Sequence, residues 1–261
     1  MGTSSSQRSP STPEWERVRE LYRQPDPDPS QILSRIVSAL EPDTKAGMSD
    51  SAVTCCLDSV LDGAVAASTG RLSEYLSDLP DIEQAPAVGL AGGIRDCAEE
   101  RIIADNIASR FGDLALNAVG TTILSAAESA AGAGGILQVS YPDIESALAQ
   151  YYDRQRMHEL AGSFFAHDFD HVFRYFVARD ISDFVGTEAI PDVSTSARLQ
   201  DRIAHQCRTI TGQLQLAAAE ETIRQALANS DHQQRRDALQ PFVRDTVNSG
   251  LDMLAAAGGA A

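Results

Sequence analysis

The chain has 261 residues, 43% of them hydrophobic, so it is long and apolar enough to bury a sizeable core. Its net charge of −16 argues against nonspecific nucleic-acid binding, which needs clustered basic residues to displace counterions. The four cysteines form no C-x-x-C pair, and no charged-then-apolar leader occurs, so neither disulfides nor secretion is expected. We therefore expect a cytoplasmic protein, without a membrane span because the chain lacks a long uninterrupted apolar run.

The basic residues are unusual because Lys45 is the only lysine among 21 lysines and arginines. A high-GC genome favours arginine over lysine, and a salt-rich cytosol favours an acidic surface poor in lysine. The composition fits either origin, so a halophilic source and a high-GC source both stay open. In both cases charge repulsion should weaken the compact state at low salt.

The N-terminal half predicts a series of amphipathic helices. Residues 1–12 are rich in Ser, Thr and Pro and predict a disordered tail, after which Thr12 caps a helix that starts at Pro13. Ser49 is expected to cap a helix over about 50–67. Further helices are predicted over about 87–111 and 113–131, and the glycines at 132–135 then interrupt the pattern.

The C-terminal half continues the helical pattern. "ILQVSY" is the one stretch that resembles a strand, but an isolated strand is unstable, so we expect an extended connector. A long helix over about 195–229 carries apolar residues at coiled-coil-like spacing and is the best candidate interface on sequence grounds. Ser230 and Gln233 match a capping box for a final helix that runs to about 256.

This pattern predicts an all-α fold, a multi-helix bundle of about eight or nine helices with no substantial sheet. The glycine break divides the chain into an N-terminal helical lobe over 13–131 and a C-terminal helical lobe over 136–256, or both form one continuous domain. Residues 257–261 are expected to fray.

The densest chemistry lies in "GSFFAHDFDHVFRYFVARDISDFVG", which holds six of the eight phenylalanines. His167 and His171 are four residues apart and share one helix face, a valid spacing for metal ligands, and Asp170 could act as a third ligand or a base. A divalent metal such as zinc would generate hydroxide there. The alternative, which we favour, is a core helix whose histidines lie at the edge of an apolar arc.

Other catalytic motifs are missing from the sequence. The stretch that begins at His158 is no H-E-x-x-H motif because Gly162 stands where the second histidine would be. The glycine-rich segments lack the Gly-Lys-Ser/Thr of a P-loop, and no serine lies in a G-x-S-x-G elbow.

The sequence therefore favours a non-enzymatic helical interaction or assembly protein, whose partner is another protein or a second copy of the chain. Two alternatives stay open. One is a metal-dependent hydrolase that uses the His167 and His171 pair. The other is a helical small-molecule sensor in which Phe165 and Phe169 line a pocket.

Overall fold

A computed structural model describes residues 12–76, 85–131 and 135–259. These residues form α-helices, short 3-10 turns and connecting loops, with no strand, which confirms the all-α bundle. The helices are α1 (Pro13–Tyr22), α2 (Pro29–Ala39), α3 (Pro42–Gly47), α4 (Ser51–Ser68), α5 (Leu72–Tyr75), α6 (Pro86–Ala104), α7 (Gly112–Ala131), α8 (Tyr141–Asp153), α9 (Met157–Ile181), α10 (Val193–Thr211), α11 (Glu220–Leu227) and α12 (His232–Ala257).

The number of helices exceeds the predicted eight or nine. The short helix α3 was not predicted, and the single helix predicted over 195–229 is wrong, because α10 ends at Thr211 and α11 begins at Glu220. Leu214 and Leu216 both pack against the core. Both leucines lie in the segment between α10 and α11 and are partly buried.

Several sequence predictions concern segments outside the described residues. These are most of the predicted tail over 1–12, the glycine break near 132–134 and the last two residues of the predicted fray. The connector prediction is correct in that no strand forms over 136–141, but Ile136–Gln138 form a 3-10 turn and the extended conformation begins only at Val139.

The helix N-termini show why capping residues are hard to place from sequence alone. Thr12 accepts a hydrogen bond from the backbone N–H of Trp15, as predicted. The other two predicted caps are one residue early: Asp50 caps α4 and Asp231 caps α12. Aspartate and serine are about equally good caps, so adjacent Ser-Asp pairs leave the first residue of the helix ambiguous.

One hydrophobic cluster runs through the bundle, and helices from both predicted lobes contribute to it. α4 packs against α6, α7, α8 and α12, whereas α9 packs mainly against α7 and α10. The segment Pro42–Ser68 is long and apolar enough to cross a membrane by length and composition, and 78% of its most apolar window is buried inside the bundle. Burial in the core accounts for this composition.

Two contacts fix the position of α9. At its C-terminal half, the indole N–H of Trp15 donates to the buried carboxylate of Asp180, and the Arg179 guanidinium lies 5.1 Å from the centre of the Trp15 ring. Nearer the middle of α9, Phe169 packs against Gly250 of α12, where an added Cβ would lie 2.4 Å from Phe169 Cζ. These two contacts attach α1 and α12 to α9, in addition to its main packing against α7 and α10.

Candidate functional site

The predicted histidine pair lies on the side of α9 that faces α7. His167 Nε2 is 3.1 Å from Ser125 Oγ, and His171 Nε2 is 3.1 Å from Thr121 Oγ1. Both rings are half-buried, and both hydroxyls belong to α7 at a spacing of four residues, so the two contacts are stacked one helical turn apart. The structure thus brings the two histidines to one face, and each imidazole is engaged by a hydroxyl of the neighbouring helix.

Burial keeps the two imidazoles neutral. It lowers the pKa of His167 to about 4, with His171 as a further cause, and it also lowers the pKa of His171. Neutral imidazole is the form that binds metals and accepts protons.

The predicted third residue, Asp170, is directed to a different neighbour. Its Oδ1 accepts from Arg174 Nε at 3.0 Å, and its Oδ2 accepts from Arg208 Nη1 of α10. The carboxylate therefore joins α9 to α10. Within residues 12–76, 85–131 and 135–259, no group of three or more His, Cys, Asp or Glu side chains could hold a metal ion.

Ser125 and His167 are close enough for a nucleophile and its general base. However, Ser125 lies in the interior of α7, where the neighbouring backbone N–H groups are committed to helical hydrogen bonds. An acyl-transfer site needs free N–H donors that face the developing oxyanion. The geometry at Ser125 supplies a hydrogen bond between α7 and α9 and no such donors.

Asp168 is the most perturbed acid in the described part of the chain. Its side chain is fully buried, its Oδ1 has no hydrogen-bond partner, and burial together with the charge of Asp50 raises its pKa to about 8. The carboxyl group is therefore largely protonated at neutral pH, where an ionised form would be strongly disfavoured in this apolar setting. Sequence analysis did not identify Asp168 as a buried acid.

A buried network of charges is the feature that sequence analysis missed. Asp58 and Asp62 of α4 face Arg101 of α6 and Arg235 of α12. Arg101 donates to Asp58 at 3.2 Å and to Asp62 at 2.8 Å. Arg235 donates to Asp62 at 3.1 Å and to Asp58 at 3.3 Å. The sequence did contain a signal for this network, since α4 is otherwise apolar and its two acids are four residues apart. That spacing places both acids on one face of the helix.

A small cavity of about 370 Å³ adjoins this network and is lined in part by Tyr75, Cys97, Arg101 and His232. Burial raises the pKa of the Cys97 thiol, against the opposing charge of Arg101, so the reactive thiolate is disfavoured. The Arg101 guanidinium lies 5.6 Å from the centre of the Tyr75 ring and is already bound to two carboxylates. The network therefore holds helices together and leaves little free charge for a ligand.

The phenylalanine cluster is part of the core. Phe165 and Phe169 are buried, Phe165 packs edge-on against Phe164 and Phe242, and Phe169 contacts Phe173. Of these contacts, the one between Phe165 and Phe242 joins α9 to α12.

The outer face of α6 carries two large apolar side chains that are exposed to solvent. Val88 and Ile103 are 58% and 70% exposed, and Gly92 lies between them with no atom within 4 Å of the position that a Cβ would occupy. At 100° per residue these three positions fall within about 60° of one another, over about 22 Å of helix axis. Arg95 shares the face and pairs with Asp96 and Glu99 at 3.5 Å.

No protein family, curated protein or solved structure matches the chain.

Proposed function

We propose that the chain is a helical interaction protein that uses the outer face of α6 to bind a protein partner. The observation that supports this proposal is the exposure of Val88 and Ile103 on one side of α6, where Gly92 and the Arg95–Glu99 ion pair lie between them. Large apolar side chains that share an exposed face mark protein-binding surfaces more often than single scattered ones do. A glycine between them allows the partner backbone to approach closely.

The charges around this face define the partner. Asp96, Glu100 and Asp105 are exposed beside the apolar positions, and the whole chain carries a net charge of −16. A partner with apolar anchors and a basic rim would complement this surface, and such charges speed up and orient association. A second copy of the chain would bring like charges together, so self-association should require high salt.

The segment 195–229, which the sequence favoured as the interface, is less well supported as a binding surface. The apolar stripe of α10, which comprises Leu199, Ile203 and Cys207, is buried against the rest of the bundle. The exposed apolar residue of α10 is Val193, which is 74% exposed at the first turn of the helix. Val193 therefore serves as the matched control for the α6 face.

Site-specific photocrosslinking tests this proposal. A photoreactive amino acid at position 103 should give a discrete crosslinked product with a basic protein in extracts of the source cells, whereas the same group at position 193 should not. The product should disappear in the Val88→Asp variant and weaken as salt rises. Equal products from positions 103 and 193 would contradict the use of α6.

Light scattering separates the two kinds of partner. If the partner is a second copy, the purified chain should form dimers that increase with salt, and Val88→Asp should abolish them while Val193→Asp should not. A basic partner predicts a monomer under the same conditions and a crosslink that salt weakens. A salt-independent monomer without any crosslink from position 103 would refute the proposal.

A further inference from the structure

An open cavity of about 670 Å³ lies between α3, the start of α4 and the middle of α12. It is distinct from the histidine pair and from the α6 face. Its volume is within the range of about 300–1,000 Å³ that is usual for small-molecule sites. The side chains that line it include Lys45, Ser49, Asp50, Ser51, Arg244 and Asn248.

The cavity brings together two cations without carboxylate partners. Neither Lys45 nor Arg244 forms a side-chain hydrogen bond or a salt bridge with any residue that the structure describes. Acidic residues outnumber basic ones by 37 to 21, and most arginines of the bundle are paired with carboxylates. Two unpaired cations on one cavity of so acidic a chain leave a local positive charge that an anion could neutralise.

The neighbouring groups add hydrogen-bond donors of the kind that phosphoryl oxygens accept. Ser51 contributes a hydroxyl, and Asn248 contributes an amide at the α12 side of the cavity. A guanidinium binds phosphate through its planar fork, and an ammonium binds it as a point charge. The single lysine of the chain and an arginine thus supply the two common modes of phosphate recognition.

Two local interactions keep the cavity in shape. Gln240 of α12 donates to the Ser49 carbonyl at 2.7 Å and accepts from the Thr54 hydroxyl at 3.1 Å, so it ties α12 to the start of α4. Asp50 also lines the cavity, but its Oδ1 accepts from the backbone N–H groups of Ala52 and Val53. Its negative charge is therefore directed to the helix terminus and is partly offset there.

We propose that this cavity binds the phosphoryl group of a small organic phosphate, with Lys45 and Arg244 as the charged contacts. A cavity of about 670 Å³ is larger than an inorganic phosphate ion, so it leaves room for the organic group to which the phosphate is attached.

Isothermal titration calorimetry of the full chain tests this assignment at low ionic strength in a phosphate-free buffer. The probes are ribose 5-phosphate, inorganic phosphate and uncharged ribose. We expect saturable binding of ribose 5-phosphate, weaker binding of inorganic phosphate and none of ribose. Lys45→Ala and Arg244→Ala should each weaken binding about tenfold, as expected for one charged hydrogen bond at a partly exposed site.

Arg17→Ala is the matched control because Arg17 is exposed on α1 and has no ion pair among the described residues. It removes the same charge and should leave binding unchanged. Asp50→Asn keeps the helix cap and removes a negative charge from the cavity, so it should tighten binding. The assignment is overturned if ribose 5-phosphate does not bind saturably, if ribose binds as well, or if Arg17→Ala weakens binding as much as Arg244→Ala.

Discussion

Replacing Arg235 with alanine would remove the cation that joins α12 to Asp58 and Asp62 of α4. Arg235 is 5% exposed and Asp58 is 2% exposed, so the substitution would leave the Asp58 carboxylate largely shielded from solvent with one fewer cation beside it. Breaking a buried ion pair by removing one partner typically costs 3–5 kcal/mol, because an uncompensated charge stays behind.

The structure places the expected cost near the lower end of that range. Arg101 still donates to Asp58 at 3.2 Å and to Asp62 at 2.8 Å after the substitution, so neither carboxylate is left without a cation. We therefore expect Arg235→Ala to lower the free energy of unfolding by about 3 kcal/mol. A domain with a total stability of about 5–15 kcal/mol should remain folded after this loss.

Urea unfolding followed by circular dichroism measures this difference as a lower midpoint with an unchanged m-value. Arg244→Ala, also on α12 but exposed and unpaired, is the control and should change stability by less than about 0.5 kcal/mol. The Arg235→Ala, Asp58→Ala double variant should lose less than the sum of the two single losses.

The pH dependence gives a second measure of the same network. Burial raises the pKa of Asp62, but the hydrogen bonds and charges of Arg235 and Arg101 outweigh that effect and lower the pKa below its usual value. A lowered carboxyl pKa contributes stability at neutral pH that is lost as the group becomes protonated in acid. The difference in free energy of unfolding between wild type and Arg235→Ala should therefore decrease as pH falls below about 4. The reasoning would be refuted if Arg235→Ala lowered the free energy of unfolding by less than about 1 kcal/mol. It would also be refuted if the loss in the double variant equalled the sum of the two single losses.

Three further predictions follow from individual contacts. Asp168→Asn should be more stable than wild type at neutral pH, because folding must keep the wild-type carboxyl protonated. The difference in free energy of unfolding should grow by about 1.4 kcal/mol per pH unit between the unfolded pKa near 4 and the folded pKa of about 8. Equal pH profiles of stability for the two proteins would contradict this. Gly250→Ala should cost about 1–3 kcal/mol in thermal or urea unfolding because its Cβ would overlap Phe169, whereas Gly120→Ala on α7, with nothing within 4 Å, should stabilise by up to about 1 kcal/mol. Elemental analysis of the purified protein should find no stoichiometric zinc. If the wild type instead contains a stoichiometric metal and His171→Ala does not, the hydrolase alternative would be favoured.

Apolar spacing was enough to predict the helical class and most helix positions, because each helix buries one stripe against a shared core. α7, for example, was expected over 113–131 and spans Gly112–Ala131. Spacing alone was insufficient at the end of α10, because Leu214 continues the apolar spacing past Gly212, the residue that caps the helix. The packing of Leu214 and Leu216 against the core is a tertiary effect that the local pattern does not contain.

The candidate sites were less predictable than the fold. The stacking of His167 and His171 follows from their spacing, but their hydroxyl partners lie on α7, more than 40 positions earlier in the chain. Asp170 was grouped with the histidines because they are close in sequence, whereas its ion pair with Arg208 depends on the packing of α10. The network around Asp58 spans up to 177 positions, and no local pattern could pair its members.

The attachment of α1 gives the protein an internal optical probe. Trp15 is the only indole in the chain, and its contacts include Asp180, Arg179 and Phe176 of α9. If α1 detached by itself, the indole would pass from a dry aromatic environment into solvent, and its emission would shift to longer wavelengths while the other helices stayed intact. A fluorescence transition that precedes the loss of ellipticity would then define α1 as a separately melting unit of the molecule.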